Sequence, residues 1–422
     1  MQPLATRVTA RSTLRLIAFA GIGALACAAE PARAFDWQVE ITPGSELFPA
    51  LQLSQGPRAA PASAFGNGDG LISVRIHGAD LPTALRLRVE TAGLREPAVV
   101  EATRGAAGEV IELHPRLDWD VAQLRRLRGA RRQPMRITLD GAGLTPQTRT
   151  LEVRLHPLDD AMYFAREGRD RVDLGWVFAA YVNPRDPVVD EVLEQARAID
   201  PAFDADVVPH TAAADLRRAG AVWTALERHD LRYAGGDPAL SRGPSLWSQR
   251  VRLPGDVWRD RRANCIDGSV LIASVFERIG IHPFIVLVPG HAFVGFRGDS
   301  GRGDAQYLET TLLGARLARS DSASGGVSAP GIGAASFTAA LAAGRARWRK
   351  VAAKFDGRHR PDYALIDIGT ARAYGIIPLA VDADATMAAQ PSAGARQHAS
   401  SQMASRCAAC VAPPSRPQNG QP

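Results

Sequence analysis

Asn264-Cys265-Ile266-Asp267-Gly268-Ser269-Val270-Leu271-Ile272-Ala273-Ser274-Val275-Phe276-Glu277-Arg278-Ile279-Gly280 is the stretch on which the reading of this chain turns. Asn264 is a favoured N-cap, Asp267 adds a first-turn acid and Gly280 is placed to stop the turn, so the spacing predicts a helix opening at Cys265. From Val270 to Ile279 nearly every side chain is apolar or small apart from Glu277 and Arg278, which predicts a helix buried on most sides. A thiol at the first helical position faces backbone N–H groups that have no intrahelical partner. The partial positive charge at a helix N-terminus favours a thiolate, the reactive species. The plain alternative is a small buried hydrophobe, a common fate of free cysteine.

Downstream, His291 follows Pro289-Gly290 and opens a strand-like run, with Val286, Leu287 and Val288 before it and Phe293, Val294 and Phe296 after it. Only one helix and one strand separate it from the cysteine, a connection short enough to bring the hairpin back over the helix N-terminus. Glu309 lies in Tyr307-Leu308-Glu309-Thr310-Thr311, read as a strand, where an unpaired carboxylate would be expensive to bury. The order reads as a thiol nucleophile, an imidazole base and an acid that holds the far ring nitrogen. A structural histidine and a half-exposed edge-strand glutamate are the competing readings.

Three blocks, Asn264–Ser269, Val288-Pro289-Gly290-His291-Ala292-Phe293-Val294 and Leu308-Glu309-Thr310-Thr311, resemble the transglutaminase-like superfamily of bacteria, which is related in fold to papain-type cysteine peptidases. The resemblance covers Val222 to Gly314 and, more weakly, the preceding helices and the region to Pro378. It implies Cys265 as nucleophile, His291 as general base and acid, and Glu309 as orienting acid. It also implies an oxyanion hole made by the Cys265 N–H with Trp247 or Gln249, because members use a Trp or Gln upstream of the cysteine. The family more commonly carries aspartate at the third position, so the glutamate here calls for an offset of about a bond length. No cofactor is implied, and no histidine pair has metal-ligand spacing.

On the N-terminal side of this block the pattern changes to period two. Trp37-Gln38-Val39-Glu40-Ile41, Leu71–Ile76, Leu85–Val89, Met135–Leu139 and Leu151–Leu155 alternate apolar and polar residues between Gly, Pro and Asp turns, which predicts a small antiparallel β-sandwich. The Pro/Ala/Gly-rich piece Gly56–Gly70 reads as a loop. After His156 the period becomes helical: Asp186 caps and Pro187 opens a helix with Val188, Val189, Val192, Leu193, Ala196 and Ile199 on one face, and a second follows around Leu216–Leu226. Arg319–Ala335 reads as a loop before an amphipathic helix through Phe337, Leu341, Gly344, Trp348, Val351 and Phe355. Tyr363–Ile368 reads as a strand. The fold class expected is therefore α+β, a papain/transglutaminase-like catalytic domain (158–381) behind a β-sandwich (35–157).

The two ends have their own character. Arg7, Arg11 and Arg15 precede the apolar run Leu16–Ala28, and Ala32-Arg33-Ala34 supplies a small-x-small cleavage site, so residues 1–34 read as an export signal and the protein as periplasmic or secreted. Ala24-Leu25-Ala26 before Cys27 departs from the Leu-first lipoprotein pattern. Removing that signal takes away four arginines and Glu30, which reduces the formal charge from +6 to +3 and gives no nucleic-acid-binding balance. The cluster Arg125, Arg126, Arg128, Arg131 and Arg132 has no interleaved aromatic residues and reads as a solvated face or loop. The stretch 382–422 is rich in Ala, Ser, Gln and Pro and reads as a disordered tail, with Cys407 and Cys410 close enough to pair there and leave Cys265 free. The expected function is exported, cysteine-dependent acyl transfer on a protein or peptide amide, as a peptidase, amidase or transglutaminase-like enzyme. The rival is a non-catalytic module that binds peptide or helps assemble an envelope complex of proteins.

Overall fold

The computed structural model describes residues 35–41, 44–56, 72–78, 81–103, 110–167, 170–203, 211–235, 240–242, 246–298, 301–315 and 332–379. The expected export signal, nearly all of the Gly56–Gly70 loop and the tail with Cys407 and Cys410 lie outside the described residues.

The first part is built from β1 (Phe35–Ile41), β2 (Glu46–Leu47), α1 (Pro49–Leu53), β3 (Ile72–Gly78), β4 (Ala84–Thr91), β5 (Ala98–Thr103), β6 (Ile111–Leu113), α2 (Val121–Arg126), β7 (Arg131–Gly141) and β8 (Leu144–Leu155). They form a three-stranded sheet ordered β1-β3-β6 and a five-stranded sheet ordered β2-β8-β7-β4-β5. Alternation does the work. Along β7, Gln133, Met135, Ile137 and Leu139 are buried while Arg132, Pro134 and Arg136 are exposed. Each aliphatic side chain turned inward this way contributes about 1.5–3 kcal/mol. Trp37 of β1 ties the two sheets, donating its indole N–H to Gln147 of β8 at 2.9 Å, with the Arg149 guanidinium 4.6 Å over its ring. One pairing departs from the expected antiparallel pattern: β2 runs parallel to β8. Arg125 and Arg126 occupy the last turn of α2, and Arg131 and Arg132 open β7.

The second part contains β9 (Asp160–Glu167), β10 (Asp170–Asp173), α3 (Val177–Tyr181), α4 (Pro187–Ile199), α5 (Ala212–Arg228), β11 (Arg232–Tyr233), β12 (Leu240–Arg242), β13 (Leu246–Arg250), α6 (Pro254–Asp260), β14 (Arg262–Ala263), α7 (Cys265–Arg278), β15 (His282–Val288), β16 (His291–Arg297), β17 (Ala305–Leu308), α8 (Ile332–Val351), β18 (Ala364–Asp367) and α9 (Ile368–Ala373). The caps behave as the sequence predicts: the Asp186 carboxylate accepts from the Val188 N–H at 3.2 Å with Pro187 at the first helical position of α4. Strands β9, β10, β12 and β13 were not expected. Ala161 to Ala165 of β9 are all buried, so no period-two signal marks that strand. Three boundaries also move. The strand read over Tyr307–Thr311 ends at Leu308, α8 begins at Ile332 inside the stretch read as a loop, and the strand read over Tyr363–Ile368 gives way to α9 at Ile368.

An antiparallel sheet ordered β17-β16-β15-β18 carries the site. Helix α7 covers one face, over Ile285, Leu287, Val294 and Phe296; Phe276 meets Phe296 edge-on at 5.0 Å. Phe284, Val286, Phe293 and Tyr307 point the other way, where Trp348 of α8 stacks on Tyr307 at 4.6 Å. Every side chain of α7 from Ile266 to Phe276 is buried, and its polar members are satisfied: Ser269 donates to the Cys265 carbonyl, and Ser274 donates to the Val270 carbonyl and accepts from the Asn183 N–H. The architecture is thus α+β. One hydrophobic core runs through both parts, and Gly56 and Ser54 of the first bond to Gly375 and Ile377 near the end of the second. No described helix is long and apolar enough to cross a membrane.

Candidate active site

Cys265 occupies the first position of α7, is partly exposed and carries a free thiol. Its placement follows from the local sequence. The Asn264 side chain accepts from the Asp267 N–H at 2.9 Å, and the Asp267 carboxylate accepts in return from the Asn264 N–H at 3.3 Å, a closed capping box. Asp267 is buried, a state its charge tolerates because Arg252 donates to it from the backbone N–H (2.9 Å) and from Nε (3.0 Å). Around the Cys265 carbonyl, Ser269 Oγ donates at 2.7 Å and Thr310 Oγ1 at 3.1 Å. Thr310 follows Glu309 directly, so one bond links the acid's segment to the cysteine.

His291 is brought in by a tight hairpin. Val288 and His291 are the last register pair of β15 and β16, and the turn between them is Pro289-Gly290. Gly290 has φ 71° and free space around its Cα, so backbone conformation is what demands glycine there. The Cys265 side chain acts on the imidazole from within interaction range and raises its pKa. Its Nε2 faces Glu309 Oε1 at 3.0 Å and Oε2 at 3.1 Å, leaving Nδ1 as the nitrogen for sulfur.

Glu309 does not sit within a strand. It is the residue after β17, extended, and caps the short 3₁₀ turn Thr310–Leu312. Its N–H donates to the Ala340 carbonyl of α8 at 3.1 Å. The carboxylate is 3 % exposed, which removes the half-exposed edge-strand reading. It is filled with donors: His291, the Thr311 hydroxyl at 2.9 Å, the Thr311 N–H at 3.2 Å and Arg347 Nε at 2.6 Å.

The electrostatics follow from these bonds. Burial by itself would push the His291 pKa down, but the hydrogen bonds and charges of Cys265 and Glu309 outweigh it and carry the pKa up to about 9. Burial would likewise raise Glu309, yet His291, Thr311 and Arg347 hold it at about 2. Both ends therefore describe the same imidazolium–carboxylate pair.

Trp247 and Gln249 are on β13, paired with β9 and β12. Trp247 packs edge-on against Phe164 at 4.9 Å, with the Arg166 guanidinium 5.6 Å over its ring. Gln249 is the register partner of Ala161 and Leu240. The structure thus brings Cys265, His291 and Glu309 together, and gives Trp247 and Gln249 no hydrogen bond to any of the three among the described residues. Sequence reasoning overlooked Arg347, Thr310, Thr311 and Tyr233. Arg347 lies three residues beyond Gly344 and one before Trp348 on the packed side of α8, a position that offered a signal; the two-residue β11 that carries Tyr233 offered none.

No family model matches the chain, and no curated protein matches it either.

Chemically, a partly exposed sulfur beside an imidazole that is locked from behind by a buried carboxylate can exchange a proton and attack an electrophilic carbon.

Proposed function

We propose that this chain is a cysteine-dependent acyl-transfer enzyme of papain/transglutaminase-like architecture, with Cys265 as nucleophile, His291 as general base and acid, and Glu309 as the residue that orients the imidazole. The observation that carries the reading is His291, held through Nε2 by both oxygens of the buried Glu309 and within interaction range of the Cys265 side chain. A merely structural histidine has no need of a helix-tip thiol as its second partner.

The sulfur attacks an amide carbonyl, the imidazolium protonates the departing amine, and water or a second amine takes the acyl group from the thioester. Water as acceptor makes the protein a peptidase or amidase, the form we favour; an amine makes it a crosslinking enzyme. The N-terminal Arg7–Ala34 pattern supports action outside the cytoplasm.

A thiol-directed probe tests the proposal on the purified protein. At about pH 6.5, Cys265 should be alkylated faster than glutathione, and both Cys265→Ala and His291→Ala should abolish the excess. Equal labelling of wild type and His291→Ala means the ring does not activate the sulfur. Release of ammonia or a free amine, set against incorporation of a fluorescent amine, then separates hydrolysis from crosslinking.

A further inference from the structure

The oxyanion hole is the part of the site that the expected residues leave incomplete. Attack by sulfur places negative charge on the carbonyl oxygen, and the Cys265 N–H is one donor to it. Trp247 packs edge-on against Phe164 under Arg166, Gln249 lies on the same β13 strand, and neither is bonded to Cys265, His291 or Glu309 among the described residues.

A different side chain is carried on the segment that packs between those of Cys265 and Glu309. β11 is held between the segments that carry the nucleophile and the acid. Tyr233 is the register partner of Ala263, two residues before Cys265, and the Ala234 N–H donates to the Ala263 carbonyl at 2.8 Å. On its other side the Tyr233 N–H donates to the carbonyl of Leu313, four residues after Glu309, at 2.9 Å. The turn that follows is pressed onto β11: a Cβ at Gly314 (φ 69°) would lie 2.9 Å from the Leu231 carbonyl oxygen and from Arg232 Cγ. The Tyr233 ring is partly buried, and no described residue accepts its hydroxyl proton. Burial first, then the charges of Cys265 and Glu309, raise the phenol's pKa, which places the hydroxyl within electrostatic reach of both and keeps it a donor at neutral pH.

We propose that Tyr233 is a catalytic residue that donates its phenolic O–H to the substrate carbonyl oxygen, as the second oxyanion donor beside the Cys265 N–H. The proposal rests on the acyl-transfer reading. As sulfur bonds to the carbonyl carbon, the carbonyl π pair moves onto oxygen and is held by these two donors. When that pair returns, the C–N bond breaks and the amine leaves with the His291 proton. Water then adds to the thioester with its proton going to His291, and the carboxylic acid leaves as the thiol–imidazole pair is restored.

The test uses two probes on the purified full chain. Iodoacetamide reads the sulfur alone, since displacement of iodide develops no oxyanion. N-acetylglycinal adds to the sulfur as a hemithioacetal whose oxygen occupies the hole, and it is read by the protection it gives against iodoacetamide. Tyr233→Phe keeps the ring, so the alkylation rate should stay at the wild-type value, while the aldehyde concentration for half-protection rises at least about tenfold, toward the hundredfold and more that one lost oxyanion donor costs in catalysis. Equal protection in the two proteins overturns the proposal, as does a parallel fall in alkylation, which would make Tyr233 a residue that positions the thiol. Wild-type Cys265 alkylated no faster than glutathione removes the acyl-transfer reading and this one with it. Fast wild-type alkylation with unchanged protection in Tyr233→Phe removes this one alone.

Discussion

Glu309 is where the residue scale decides most. Its carboxylate meets His291 with both oxygens because the residue has left the strand and turned to cap a 3₁₀ turn, a geometry fitted to the longer side chain. Glu309→Asp draws the carboxylate back by roughly one C–C bond, and a misplacement of that size costs on the order of 10²-fold. We expect that loss in Cys265-dependent turnover, measured as kcat/KM, with little change in fold by circular dichroism. Arg347 should matter far less. Its guanidinium is 43 % exposed, so solvent screens the pair, and Arg347→Ala should cost under about 1 kcal/mol in a denaturation experiment. The pH dependence follows from His291. The ring keeps its proton to about pH 9, and with His291 in its proposed role as the acid for the leaving amine, activity should fall as pH rises through about 9. In Glu309→Gln the falling limb should move down toward the ordinary histidine range. Nuclear magnetic resonance of the His291 Cε1–H reads the same titration without a substrate, and an unmoved midpoint would contradict this assignment of charge. Cys265, His291 and Glu309 were legible as residues because each is a chemically expensive group in an apolar run. Trp247 and Gln249 were expected by resemblance alone, and the structure gives them other neighbours.

Two joints between elements hold these residues in place. The first is the N-terminus of α7, where Asp267 closes the capping box and binds Arg252. Asp267→Ala removes those acceptors and leaves Arg252, 24 % exposed, without its buried partner, for a loss of about 3 kcal/mol. It should slow Cys265 alkylation as the helix tip loosens; wild-type stability and labelling in this variant would show that the cap does not hold the sulfur. The second joint is the crossing of α8 over β17. Gly344 lets the two backbones approach so closely that a Cβ there would lie 2.4 Å from the Tyr307 carbonyl oxygen. Because the obstacle is backbone, the helix itself must shift. Gly344→Ala should destabilise the protein by about 1–3 kcal/mol in thermal unfolding and slacken the Ala340 and Arg347 contacts to Glu309. Helices α4, α5 and α7 were readable from caps and apolar spacing. Strand β9 was not, since a short strand buried on both faces shows no alternation, and neither was β13, where Ser248 is the one buried residue and no apolar alternation marks the strand.

At the scale of the molecule, His156 marks the junction of the two parts. Its Nδ1 meets Asp160 at 2.6 Å, its Nε2 meets Glu46, and its ring stacks on Phe48 at 3.7 Å. Burial opposes the charge, but the two carboxylates outweigh it and raise the pKa, as Cys265 and Glu309 do for His291. A histidine raised in the folded state contributes stability that is fully present below its unfolded pKa and is lost as pH rises through the folded one. The protein should therefore lose stability as pH climbs from about 6.5 to about 9, whereas the depressed Glu309 contributes stability lost as pH falls from about 4.5 toward 2. Calorimetry across that range checks both limbs. His156→Phe should lower stability by about 3 kcal/mol, because it removes the cation between Glu46 and Asp160 and leaves Glu46 only its 3.8 Å contact with Arg154.

What the sequence determined by itself were the local matters: the N-terminal strands through period two, the major helices through caps and spacing, and the three candidate site residues through their type and order. These depend on interactions within a few residues, which a string of letters records. The tertiary structure alone decided that Glu309 turns out of its strand to reach His291, that Arg347 and Tyr233 flank the site, and that one core joins the two parts. Each of those depends on contacts between segments tens of residues apart, set by how closely backbones such as Gly344 and Tyr307 can approach, and no local pattern carries that distance.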